Sequence, residues 1–212
     1  MSMKLTVYDD VTLRTLEIGD ATDIFKTIDS ERRYLGRWLP FVAYSSTIDD
    51  TRSFVRSVLG APQERLEPVF TIRKGDRFVG LIGLKGTDPA NRKTEIGYWL
   101  SESSQGQGIV SRSVKRLCEY AFVDLEMNRV QIKCAVGNES SNAVPKRLGF
   151  VFEGVERAGE LFPDGRYADI EVYSLLKSEW LHEEERRSVD VYKQSGAVKG
   201  MPSLPRRIVL SR

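Results

Sequence analysis

The chain has 212 residues, a single histidine (His182) and only two cysteines, Cys118 and Cys134. One histidine argues against a catalytic triad and against a histidine-built metal site. The cysteines lie far apart, with no metal-ligand spacing, so no metal is expected. Proton transfer therefore falls to carboxylates, hydroxyls, tyrosine or water. Cys118 shares an apolar pattern with Val114 and Phe122, and Cys134 with Ile132 and Val136. Both read as buried free thiols of a reducing compartment. No run of about 18 apolar residues occurs, so no membrane span is expected. The start, Met1-Ser-Met-Lys-Leu5, lacks the apolar stretch of a signal peptide, and a cytoplasmic location is expected. A net charge of +2 is too small to argue for nucleic acid or an anionic membrane as partner.

Hydrophobic residues make up 41% and charged residues 29%, the balance of a soluble globular protein. The length fits one domain, expected over 1–187, plus an extension, 188–212. The extension carries Lys193, Lys199, Arg206, Arg207 and Arg212 against Asp190, a net of +4, which leaves −2 for residues 1–187. It has no sustained periodicity, contains Gly196, Gly200, Pro202 and Pro205, and reads as a basic flexible segment. Any contact with nucleic acid would use this tail.

Strands are expected at 3–8 and 11–17 around Asp9-Asp10. Asp20 is placed to cap a helix running to about Ile28. A short helical stretch, 31–38, stops before Pro40. Thr47 and Asp50 form a capping-box pattern opening a helix over 49–60, with Phe54, Val55 and Val58 on one face. Strands at 68–73 and 77–84 flank the hairpin signal Lys74-Gly75-Asp76, and a third follows at 92–100. The next helix runs to about Val123, its apolar positions being Val110, Val114, Leu117, Cys118, Ala121 and Phe122. Residues 129–136 alternate strictly. A helix at 139–147 ends at Gly149, and strands at 150–158 and 166–177 close the pattern. Helices first, then an antiparallel meander, then strand–helix–strand units make an α+β or mixed α/β sheet.

Between the strand Thr94–Leu100 and the long helix lies Ser104-Gln-Gly-Gln-Gly-Ile-Val-Ser111. A helix start offers unpaired N–H groups and a dipole that favours anions. Gly106 and Gly108 have no Cβ, so a phosphate can approach the main chain, and the segment reads as a pyrophosphate cradle. A third glycine after Gly108 is missing and no βαβ unit opens the chain, which argues against a nicotinamide dehydrogenase.

The motif set resembles the GNAT superfamily of acetyl-coenzyme A-dependent N-acetyltransferases. That family's loop has Gln or Arg, two residues, Gly, one residue, then Gly or Ala. Gln105-Gly-Gln-Gly-Ile109 matches it, and Val110 departs at the final place. Asn138-Glu-Ser-Ser141 and Leu148-Gly-Phe150 match two further family elements. Within the family, Tyr34-Leu-Gly-Arg-Trp-Leu-Pro40, Arg92–Leu100 and Asn128-Arg129 resemble the ribosomal-protein N-terminal acetyltransferases.

The resemblance implies a mostly antiparallel twisted sheet of about seven strands, splayed in the middle and flanked by about four helices. It implies acetyl-coenzyme A as co-substrate, with Gln105, Gly106, Gln107, Gly108, Ile109, Val110 and Ser111 at the pyrophosphate. Trp99 and Leu100 would lie beside the pantetheine arm on a strand that parts from 129–136, with Gly97 a place for a bulge. A main-chain N–H near Tyr98 or Trp99 would stabilise the oxyanion. Asn138 would position the arm or cap its helix, and Ser141 would meet the departing thiolate. Glu160 is the candidate base and Glu95 the second. Arg112 would reach a ribose phosphate or remain a plain exposed arginine. Tyr34, Trp38, Leu39 and Phe41 would wall the acceptor groove or simply belong to the core. The acceptor implied is a protein N-terminus, that of a ribosomal protein. A small amine (polyamine, amino sugar or peptide antibiotic) and a silent acyl-coenzyme A-binding module stay open, as does a homodimer.

Overall fold

Two tight turns organise the first half of the sheet. In the computed structural model, which describes residues 3–194, β1 (Lys4–Tyr8) and β2 (Val11–Thr15) pair antiparallel across Asp9-Asp10. β3 (Val69–Lys74) and β4 (Arg77–Asp88) pair across Gly75-Asp76, where Gly75 takes a φ of 58°. Three helices lie between these hairpins: α1 (Ala21–Ser30), α2 (Arg32–Leu35) and α3 (Ile48–Leu59). Then come β5 (Lys93–Leu100), α4 (Ile109–Glu119) with a π turn over Tyr120–Asp124, and β6 (Arg129–Ala135). α5 (Glu139–Arg147), β7 (Val151–Leu161) and β8 (Tyr167–Leu176) complete the sheet, and α6 (Lys177–Gln194) follows. The chain divides into two compact units, Met1–Lys177 and Ser178–Arg212. The expected boundary at 187 falls inside α6, and 195–212, most of the expected extension, lie outside the described residues.

The eight strands run in the order β1-β2-β3-β4-β5-β6-β8-β7, and every neighbouring pair is antiparallel except β5–β6. This is the expected mixed, mostly antiparallel sheet. Its eight strands are those expected one by one along the chain, one more than the resemblance implies, and its helices exceed the implied four because α2 is a separate single turn and α6 follows the sheet. Alternation sorts the two faces. Val69, Leu81 and Trp99 turn to the side covered by α1 and α3, where Ile24, Ile28 and Val55 are buried with them. Phe70 turns the other way and meets Tyr120 edge-on at 6.2 Å, on the side of α4. Burying each such large side chain is worth about 1.5–3 kcal/mol. Gly80 is required where β4 meets β5, since a Cβ there would overlap the Trp99 carbonyl oxygen.

Four local expectations are corrected. Ile109, which the apolar pattern left out, is buried in the first turn of α4, whereas Val110 is only half-buried. Phe54 is 42% exposed rather than packed with Val55. No bulge forms at Gly97, which faces Gly83 in regular register; the irregularity lies between Lys85 and Asp88. Asp20 makes no side-chain cap on α1. Its carboxylate accepts the Glu17 N–H at 2.8 Å and pairs with Arg14 and Arg73, and it is only 3% exposed. Two cations on adjacent strands outcompete a helix terminus for a buried carboxylate. The Thr47–Asp50 capping box forms as expected. No helix among the described residues is long and apolar enough to cross a membrane.

Candidate active site

β5 ends at Leu100, and a short 3-10 turn over Glu102–Ser104 leads into the glycine segment. Gly106 and Gly108 both take a φ of 71°, a left-handed value that favours glycine. A Cβ at Gly106 would meet nothing within 4 Å, so the turn is open on that side. Gly108 is the N-cap of α4, with no side-chain cap and no acidic residue in the first turn. The first helical N–H groups, those of Ile109, Val110 and Ser111, thus lack the side-chain acceptor that usually closes a helix start. An uncapped, acid-free and sterically open helix start fits a pyrophosphate.

The loop is tied down from several sides. Glu31 accepts from Ser101 Oγ at 2.5 Å and from the Glu102 N–H at 2.9 Å. Gln105 Nε2 donates to the Tyr34 hydroxyl. Burial, and then the charges of Glu102 and Glu31, push the Tyr34 phenol up, so it stays protonated. Lys74 Nζ donates to Gln107 Oε1 at 2.8 Å, and Arg147 Nη1 to Ser111 Oγ at 2.8 Å.

Beside the turn the sheet opens. β5 and β6 pair only through Lys93–Arg129, Thr94–Val130 and Glu95–Gln131. Past Glu95 the two strands part, as expected. The Ser101 N–H donates to Val79 O at 2.8 Å, so alternation aims the N–H groups of Tyr98 and Leu100 at the gap and that of Trp99 at β4. The Trp99 ring packs on Phe78, with centroids 5.7 Å apart.

A cavity of about 850 Å³ lies along this gap, and Tyr98, Ser141, Asn138, Glu95 and Glu160 all border it. The Tyr98 hydroxyl donates to the Ser141 carbonyl at 3.1 Å and accepts from Ser141 Oγ at 3.2 Å. Burial raises the phenol far above its ordinary value, so it is neutral at any physiological pH. Asn138 caps α5, its Oδ1 accepting the Ser141 N–H at 3.3 Å. Glu95 is engaged, pairing with Lys85 at 2.8 Å and accepting from Gln131 at 3.3 Å. Glu156 pairs with Lys133 at 2.8 Å. The Glu160 side chain is exposed and makes no hydrogen bond or ion pair among the described residues, with the charge of Lys133 acting on it only at longer range. Its place is set by an irregularity in β7, where Glu156 faces Ile170 but Glu160 faces Ala168. Four residues there span two of β8, with Ala158 at a φ of 52° and its N–H bonded to Asp169 Oδ1 at 2.8 Å.

The early aromatic cluster divides. Tyr34 packs against the core, whereas Trp38 and Phe41, joined by Tyr44 and Phe54, border the cavity. Cys134, read from its alternation as a core thiol, is 4% exposed yet borders the cavity too, its sulfur 3.3 Å from Ser141 Oγ. Burial raises this thiol and keeps it neutral. Nothing in the β6 pattern distinguishes Cys134 from Ile132. Only the loss of the parallel neighbour opens that end of the strand.

A family model described as an acetyltransferase (GNAT) domain matches residues 10–151. The putative ribosomal N-acetyltransferase YdaF of Bacillus subtilis (strain 168) is 39% identical over 178 residues, covering 82% of this chain and 95% of that protein. The ribosomal-protein-serine acetyltransferase of Escherichia coli (strain K12) is 31% identical, covering 83% and 98%. Among solved structures, RimL, a ribosomal L7/L12 alpha-N-protein acetyltransferase in complex with coenzyme A, held there as a coenzyme A–cysteine disulfide, matches with a TM-score of 0.78. It is 28% identical, over 82% of this chain and 98% of that one. With the domain model on this stretch and these relatives matched over nearly their whole lengths, the chain belongs to the GNAT acetyltransferases and is an acetyl-coenzyme A-dependent N-acetyltransferase.

Proposed function

We propose that this enzyme acetylates the α-amino group of a protein N-terminus, that of a ribosomal protein, by direct attack of the amine on the thioester. The observation that carries the reading is a free carboxylate, Glu160, sharing one cavity with the Tyr98–Ser141 hydroxyl pair at the gap between β5 and β6. The names of the two curated relatives support the acceptor class.

Bound acetyl-coenzyme A would supply the activated acyl carbon. The chain's residues do the rest. The first-turn amides of α4 hold the paired phosphates, and the Tyr98 N–H donates to the carbonyl oxygen as negative charge builds there. An α-amine has a pKa near 7.7–8.0, so a modest base is enough at neutral pH. Glu160, free of any counter-ion pair, takes the proton from the attacking nitrogen directly or through water. As the nitrogen–carbon bond forms and the carbon–sulfur bond breaks, Ser141 Oγ turns its one proton from the Tyr98 hydroxyl to the leaving sulfur, which departs as a hydrogen-bonded thiolate. The Tyr98 hydroxyl, itself kept protonated, holds Ser141 in place throughout by donating to its carbonyl. Asn138 fixes the start of the helix that presents Ser141.

The test is thiol release from acetyl-coenzyme A with peptides that begin with serine or alanine, set against spermidine as a small amine. Release with the peptides, and acetylation mapped to the first nitrogen by mass spectrometry, is the expected result. Release with spermidine and none with any such peptide ends the protein-acceptor assignment.

A further inference from the structure

Pyrophosphate recognition leaves one charged group of coenzyme A unaccounted for. The 3′-phosphate on its ribose is a terminal monoester, carrying about −1.5 to −2 at neutral pH. This argument rests on the cradle being the coenzyme A site.

Beside the cradle, residues from three elements converge on Gln107 and Gly108. Tyr8, at the end of β1, donates its hydroxyl to the Gln107 carbonyl at 3.4 Å. Lys74, at the end of β3, holds the Gln107 side chain at 2.8 Å. Arg112, one turn into α4, lies with its guanidinium carbon 4.0 Å from the Tyr8 ring centroid. Its Nε is 3.8 Å from the position a Cβ on Gly108 would occupy.

Stacking on a ring fixes the direction of a guanidinium while leaving its N–H groups free. Neither Lys74 nor Arg112 has a carboxylate partner among the described residues. Asp10, whose Oδ2 lies 3.9 Å from the Cβ position of Gly75, pairs with neither. Two oriented and uncompensated cations on one flank of an anion-binding turn are suited to a second anion placed outside the turn. The amides inside it are matched by the pyrophosphate already.

We infer that Lys74 and Arg112, with Tyr8 as the stacking platform, read the 3′-phosphate of coenzyme A and so select against 3′-dephospho-coenzyme A. Arg112 supplies the bidentate fork and Lys74 a point charge beside it.

Calorimetric titration with coenzyme A and with 3′-dephospho-coenzyme A tests this without reference to turnover. The native chain should bind coenzyme A on the order of tenfold more tightly than the dephospho form, the effect of one charge-assisted contact. That ratio should shrink as salt is raised. In the double variant Arg112→Met with Lys74→Met the two ligands should bind within about twofold of each other. Arg112→Lys, which keeps the charge, should keep part of the ratio. Equal affinities in the native chain overturn the proposal even if the double variant does not fold, while leaving the acetyltransferase reading intact. A ratio that survives in a folded double variant overturns it as well. No binding of coenzyme A at all removes this inference together with the reading of the cradle.

Discussion

Glu160 and Glu95 were both candidates for the base, and their surroundings separate them. Glu95 is 14% exposed at its side chain and shares its oxygens between Lys85 and Gln131. Both of its oxygens are therefore already committed to protein donors and not turned to an incoming amine. Glu160 has none and stands at the cavity edge. We expect Glu160→Gln to lower the rate at pH 7 by about 100-fold, within the usual range for a lost general base. The loss should shrink as pH rises towards the amine pKa of about 8, because more of the acceptor then arrives already deprotonated. Parallel pH–rate profiles for the two enzymes would place the base elsewhere. Ser141 and Asn138 were legible in the sequence because they follow a local spacing, and a helix start imposes that spacing chemically. Cys134 was not, because its closeness to the cavity depends on where two distant strands stop pairing. Asp20 was misread for a related reason. Its helix-start position is local, but Arg73, which claims it, is 53 residues away.

At the scale of elements, β6, β8 and β7 are joined across one level by a single carboxylate. Glu153 on β7 accepts from both Arg129 terminal nitrogens, at 2.6 and 2.5 Å, and from Ser174 Oγ on β8 at 2.8 Å. The Arg129 bonds, helped by Ser174, hold its pKa below the ordinary carboxylate value, outweighing the opposing effect of burial. A depressed native-state pKa adds stability that is complete above the unfolded-state value and is lost as pH falls through the native value. Glu153→Gln should therefore be less stable than the native chain near neutral pH, by no more than about 1 kcal/mol since the pair is partly exposed. The two stability curves should meet as pH drops below about 4. Urea titrations at several pH values would show it, and a gap that persists in acid would deny the ion pair its role. Hairpins, the capping box and the alternation of β6 were readable because each is written within a few residues. The irregularity that turns Glu160 to the cavity was not. It is defined by the register of β7 against β8, and within Arg157-Ala-Gly-Glu160 only Gly159, where a Cβ would meet Ile170 at 2.9 Å, marks the place without fixing its extent.

The whole sheet is two antiparallel blocks, β1 to β5 and β6-β8-β7, joined edge to edge through three parallel residue pairs. That joint holds the start of β5 while the cradle follows its end, so the gap between the blocks opens towards the cradle, and a ligand with phosphates at one end and a long arm at the other can run along it. Motif order foretold the parting of the strands only through resemblance. Periodicity alone had no means of showing it, since a strand that loses a neighbour keeps its own pattern. Two ligands separate the phosphate site from the gap: coenzyme A, and 3′,5′-ADP, which lacks the arm. Each, at about 100 times its own Kd, should stabilise the fold by about 2.7 kcal/mol and raise the thermal midpoint by roughly 5–10 °C. Mass action makes those shifts equal, so melting cannot tell the two apart. Hydrogen exchange can, because the Tyr98 and Leu100 amides face the gap and lack the parallel partner that β6 gives to Thr94. Coenzyme A should slow exchange of the peptide covering 96–100, whereas 3′,5′-ADP at equal saturation should leave it near the ligand-free rate. Equal protection by both would mean that the arm lies elsewhere and that the parted strands serve only to seat the helix start.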